Sequence, residues 1–138
     1  MAMIATTIMI SGKYKQFLFE NDACIRLIEY IKQENTFFKT RLSEVTSQIQ
    51  DKKCLEQAEI FHNQFIIKDD LLDHVIYDLK KESEKWRNLK LKYSDTSFSE
   101  LVKIHKHLKD QVALIEKDYM LIKSDYNTYL SSLQIAEF

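Results

Sequence analysis

Apolar side chains recur along this chain at alternating steps of three and four, the spacing that lines one seam of a packed helix. The first stretch uses Tyr14, Phe17, Asn21, Cys24, Ile28, Ile31, Asn35, Phe38, Leu42, Val45 and Ile49. The second uses Cys54, Ala58, Phe61, Phe65, Lys68, Leu72, Val75, Leu79, Glu82, Trp86, Leu89 and Tyr93. The third uses Phe98, Leu101, His105, Leu108, Val112, Ile115, Tyr119, Ile122, Tyr126, Tyr129, Leu133 and Ala136. Only Asn21, Asn35, Lys68, Glu82 and His105 interrupt the apolar seam with polar side chains.

The phase breaks from Ile49 to Cys54 and again from Tyr93 to Phe98, and each break predicts a joint between helices. Asp51 can accept from the free amides of a new helix. "YSDTSFSE" places Ser97 and Glu100 at the spacing of a capping box. Gly12, after Ser11, marks the expected start of the first helix. The expected helices are therefore 13–50, 52–93 and 97–136, each ~60 Å long at ~1.5 Å per residue. Short connections make sequential helices antiparallel neighbours. The fold class is all-α, an elongated antiparallel up-down-up three-helix bundle with heptad packing, in one domain over residues 12–138. Residues 1–11 are expected to form an apolar N-terminal arm, loosely ordered or docking. A dimer sharing a four- or six-helix core is the competing assembly.

The length of the three stretches, their heptad phasing and a tryptophan within a helix resemble the three-helix repeats of the spectrin type. The resemblance spans about residues 12–136 and implies the same three-helix layout.

Composition supports few, long helices. The 138 residues include no proline and one glycine, which leaves little chemistry for tight turns. The net charge of −1 selects no partner class, and a DNA-binding domain is usually far more basic. No apolar run approaches the ~20 residues that span a bilayer, and the start "MAMIATTIMI" lacks a basic flank. The expected location is cytoplasmic, without membrane insertion. Cys24 and Cys54 give no disulfide framework.

Antiparallel helices allow seam residues to be matched by height. Asn35 then falls beside Lys68, with Tyr119 and Tyr126 near the same level, as a layer that sets register. Glu82, Trp86 and His105 share a level nearer one end. There a carboxylate facing an imidazole would satisfy both and favour the protonated ring.

Catalytic and metal chemistry finds little support. Di-iron bundles use a Glu-x-x-His pair on each of two helices. Glu59 and His62 form one such pair, and no other histidine has a glutamate at that spacing. They are the weak candidates for a metal-binding bundle. Phosphate-cradling loops need clustered glycines, and no HExxH, CxxC or GxSxG occurs. The expectation is a non-enzymatic protein with no cofactor, no catalytic residue and no small-molecule substrate.

Two surface features remain. "KKESEKWRNLKLK", residues 80–92, holds six basic and two acidic residues. With the third helix it offers a candidate anion-binding end of Lys81, Lys85, Arg87, Lys90, Lys103 and Lys106, suited to nucleic acid or an anionic membrane surface. A second apolar set lies off the seam: Tyr30, Phe37, Ile60, Ile66, Ile67, Leu114, Met120 and Leu121. Some of these are expected to widen the core. Ile60, Ile66, Ile67, Leu114, Met120 and Leu121 form the candidate interaction surface. The leading expectation is a helical interaction or scaffolding module that binds a protein partner or itself as a homo-oligomer.

Overall fold

The computed structural model describes residues 2–91 and 94–133, with side chains described for 12–89 and 94–133. Three helices make up the architecture: α1 Ala2–Thr46, α2 Lys52–Leu91 and α3 Asp95–Ser132. They pack as an up-down-up bundle. Asn21 of α1 bonds Leu79 of α2, whereas Asn35, further along α1, bonds Phe65, earlier in α2. Glu82 of α2 meets His105 of α3, whereas Cys54 meets Tyr129. Each pair of sequential helices is therefore antiparallel.

The heptad seam is the core. Among the described residues no seam position is exposed, and every buried residue except Ser83 is a seam residue. Tyr93 and Ala136 lie outside the described residues. The larger core cluster joins Ile28, Ile31, Phe38 and Leu42 of α1 to Phe65, Leu72 and Val75 of α2 and Val112, Ile115 and Tyr126 of α3. A smaller cluster at the other end centres on Trp86, Leu89 and Leu101. Apolar flanks are supplied by Ile25, Leu27, Leu71, Ile76, Ile104 and Leu130. Some of the eight off-seam apolar residues were expected to widen the core; none does, and all eight are exposed.

The helix ends differ from the expected ones for local reasons. Helix α1 runs from Ala2 through Gly12, so the main chain of 2–11 continues it, and the side chains of that segment lie outside the described residues. A lone glycine costs a helix interior only about 1 kcal/mol, too little to stop propagation. At its far end α1 stops at Thr46, before the expected residue 50. There Thr46 donates to the Ser43 carbonyl (2.9 Å) and Ser47 to that of Glu44 (2.7 Å), and the main chain tightens to i→i−3 bonds at Gln48 and Ile49. Such hydroxyl bonds compete with continuation of the helix.

Asp51 caps α2 as expected, its Oδ1 accepting from the Lys53 amide at 3.1 Å. Helix α3 starts earlier than expected. Ser94 is its N-cap and accepts from the Ser97 amide at 3.1 Å, with Asp95 in the first turn. Ser97 is thus the third helical residue, and the Ser97–Glu100 pair does not form the cap. Three hydroxyl or carboxyl residues precede Ser97, and the first of them takes the capping role.

Candidate functional site

Two polar layers interrupt the seam. In the first, Asn35 is fully buried and donates Nδ2 to the Phe65 carbonyl (2.9 Å) and to Asp69 Oδ1 (2.6 Å). Lys68 lies at this height but does not meet Asn35. Its long stem carries the ammonium outward to Asp118 of α3, while Asp69 is also paired with Lys39. Partial burial of Lys68 pushes its pKa down. Tyr119, expected near this level, donates to Glu34. Tyr126 sits against Phe38, Phe61 and Phe65, and its burial pushes the phenol up to about 12.

The second layer is a chain of charges across all three helices. Trp86 Nε1 donates to Glu82 Oε2 at 2.7 Å, and His105 Nδ1 lies 2.7 Å from the same oxygen. His105 Nε2 lies 2.7 Å from Glu20 Oε2, and Lys109 completes the chain at 3.2 Å from Glu20 Oε1. Carboxylate oxygens accept, so both ring contacts are hydrogen bonds only when the imidazole carries two protons. Burial disfavours that charge, but the bonds to Glu82 and Glu20 outweigh it and raise the His105 pKa. The bond from His105 is the main cause that lowers the Glu20 pKa. Phe17 stacks on Trp86 (centroids 4.9 Å apart) and tilts against His105 (4.9 Å). Glu82 and His105 were legible as a pair; Glu20 was not, because it lies just off the seam of α1.

Among the described residues, the members of this layer are bonded to one another, and the two ring nitrogens of His105 face Glu82 and Glu20. Glu59 and His62 are both exposed, and His62 borders a shallow hollow between α1 and α2 with Thr36, Lys39 and Ser43. Among the described residues no three histidine, cysteine or acidic side chains converge as metal ligands. Cys24 and Cys54 are free thiols.

The furrow between the adjacent helices α2 and α3 carries a hollow toward each end. One end is a hollow of about 510 Å³ lined by Lys53, Gln57, Ile60, Asp125, Thr128 and Ser132, among others. The other end is a hollow of about 380 Å³ lined by Asp78, Lys81, Glu82, Lys85, Lys103 and His107, among others. Residues seven apart share a helix face to within about 20°. On α2 the row Lys53, Ile60, Ile67, His74, Lys81 has both ends in these hollows. On α3 the row Thr128, Leu121, Leu114, His107 does too. Ile60, Ile67, Leu114 and Leu121 thus flank one furrow, between 53% and 68% exposed.

The remaining candidates are sorted by the same geometry. Met120 borders a different hollow on α3, with Lys123 and Asn127. Ile66, one residue from Ile67, points ~100° away around α2. At the basic end, Lys81, Lys85 and Lys103 meet in one hollow, whereas Arg87 and Lys106 do not line it. The Lys90 side chain lies outside the described residues. His107 was missed, although its place seven residues before Leu114 was a readable signal.

No family model, no curated protein and no solved structure matches the chain. The likeness to spectrin-type repeats is one of layout. Among the described residues, no helix is long and apolar enough to cross a membrane.

Proposed function

We propose that this chain is a non-enzymatic helical interaction module that docks a helix of a partner protein along the α2–α3 furrow. The observation that carries this reading is the exposure of Ile60, Ile67, Leu114 and Leu121 in two heptad rows flanking one furrow. Large apolar residues left exposed along one furrow mark an association surface. An amphipathic helix laid into such a groove anchors through residues at i, i+3, i+4 and i+7. The seven-residue spacing within both rows matches those anchors.

The test uses a labelled helical peptide with leucines at heptad spacing, titrated against the native chain by fluorescence anisotropy. Saturable binding at micromolar concentration is expected. It is expected to vanish when Ile60, Ile67, Leu114 and Leu121 are all changed to serine, with helicity retained by circular dichroism. Binding that survives the fourfold substitution refutes this use of the furrow.

The hollow of Lys81, Lys85 and Lys103 favours a second reading, a binder of nucleic acid or an anionic membrane surface. That reading requires salt-sensitive binding to DNA, RNA or acidic vesicles, weakened by Lys85→Glu with Arg87→Glu and Lys90→Glu. No binding at low salt eliminates it.

A further inference from the structure

The middle of the furrow, flanked by the exposed Ile60, Ile67, Leu114 and Leu121 and crossed by the Lys68–Asp118 ion pair, shares its two rows of side chains with the basic end. Lys81 continues the Ile60–Ile67 row of α2, and His107 continues the Leu121–Leu114 row of α3. Lys85 and Lys103 complete the hollow around them. Elsewhere in the bundle Lys32, Lys39, Lys68, Lys80, Lys109 and Lys123 each meet a carboxylate. Lys81, Lys85 and Lys103 form no such ion pair among the described residues; Lys81 lies over the Tyr77 ring, 4.7 Å from its centroid. Three ammonium groups therefore face the furrow against one rim carboxylate, Asp78.

We infer that the furrow takes a helix of a different protein that carries carboxylates beyond one end of its apolar stripe, seated over Lys81, Lys85 and Lys103. This inference rests on the docking reading proposed above and supplies the chemistry of the partner. The eleven residues from Leu114 to Lys103 span ~16 Å, so the carboxylates fall about three turns past the stripe.

Other occupants fit the charges less well. In a two-fold pair with the rods parallel, the basic hollows face each other. With the rods antiparallel, each basic hollow faces the end carrying Lys53 and Asp125, which offers no excess of carboxylates. A free dianion seated deep in the hollow would meet the Glu82 carboxylate that lines it, and Glu82 Oε1 already lacks a hydrogen-bond partner. Carboxylates carried on a helix stay at the rim, where the lysines are. A nucleic-acid backbone gains nothing from the aliphatic rows.

The test compares three labelled helical peptides with the same leucine stripe. About three turns beyond one end of the stripe they carry glutamates, glutamines or lysines, and either docking direction can present that end to the hollow. The glutamate peptide is expected to bind the native chain at least about tenfold more tightly than the lysine peptide, with an advantage that shrinks as salt rises. Lys85→Glu with Lys103→Glu, both at exposed positions, is expected to abolish the advantage while helicity is unchanged. Equal affinity for the three peptides overturns this inference and leaves the docking reading standing. Failure of all three to bind overturns both. Two further results overturn it in favour of another occupant. One is a native dimer in light scattering that Ile67→Ser dissociates; the other is displacement of the glutamate peptide by duplex DNA at physiological salt.

Discussion

Asn35 of α1 donates its side-chain amide to the main-chain carbonyl of Phe65 on α2, 2.9 Å away in the fully buried centre of the bundle. That carbonyl already serves the helical ladder of α2. The bond therefore adds a fixed registration between two helices without rescuing an orphaned group. Asn35 Oδ1 itself has no hydrogen-bond partner, which is a standing cost. Asn35→Leu is expected to leave stability within about 1 kcal/mol of native or to raise it. Its penalty should appear in specificity, as mixed registers or oligomers. Urea midpoints with light scattering check this, and a loss beyond about 3 kcal/mol would show that the amide holds the fold itself.

The separation of seam from surface can be tested with two leucine-sized residues on the same helix. Leu72 is 0% exposed and packs in the main core, whereas Ile67, five residues earlier, is 66% exposed. Leu72→Ala is expected to cost about 2–5 kcal/mol through lost burial and a residual cavity. Ile67→Lys should change stability by no more than about 0.5 kcal/mol. Thermal and urea unfolding of the two variants measure the contrast. A large loss from Ile67→Lys would place that residue in the core and remove it from the docking face.

The cap of α3 gives a third prediction. Ser94→Ala removes the oxygen that accepts the Ser97 amide and is expected to cost about 1 kcal/mol. Glu100→Gln should cost almost nothing, because Glu100 takes no part in the observed cap. The reverse order of effects in urea unfolding would restore the Ser97–Glu100 box.

The cap also illustrates what the sequence could and could not reveal. Burial in a helical bundle depends on which residues share a face, and heptad spacing states that directly. That is why the seam residues lie in the core. Height matching placed Glu82 against His105 because both are on the seam. It put Lys68 beside Asn35 correctly in height, yet a flexible lysine stem can carry its charge to Asp118 instead. Glu20 went unseen because an acidic residue beside a seam looks like any solvated one. The furrow was hidden for a related reason. Six apolar residues were singled out as candidates, but only three-dimensional packing shows that four of them flank one furrow while Ile66 and Met120 face elsewhere.

The His105 layer predicts a specific pH dependence. Glu82 of α2 and Glu20 and Phe17 of α1 meet the ring; Trp86 shares Glu82, Lys109 shares Glu20, and Cys24 lies in the field of both carboxylates. The folded-state pKa of His105 lies above its ordinary value of 6.5. Its contribution to stability is therefore fully present below that value and is lost as pH rises through the raised pKa. Glu20 behaves oppositely. Its folded pKa lies below 4.5, so its contribution is present above 4.5 and disappears as pH falls through the lowered value. Stability from this layer is thus greatest between those limits. His105→Gln keeps one side-chain donor but cannot titrate, so the variant is expected to lose the alkaline part of the slope that His105 supplies. Urea unfolding of both proteins across the neutral-to-alkaline range measures the difference, with other titrating groups common to the two. Parallel curves, or a His105 ring that titrates at or below 6.5 by NMR, would mean that the two carboxylates do not hold the ring charged.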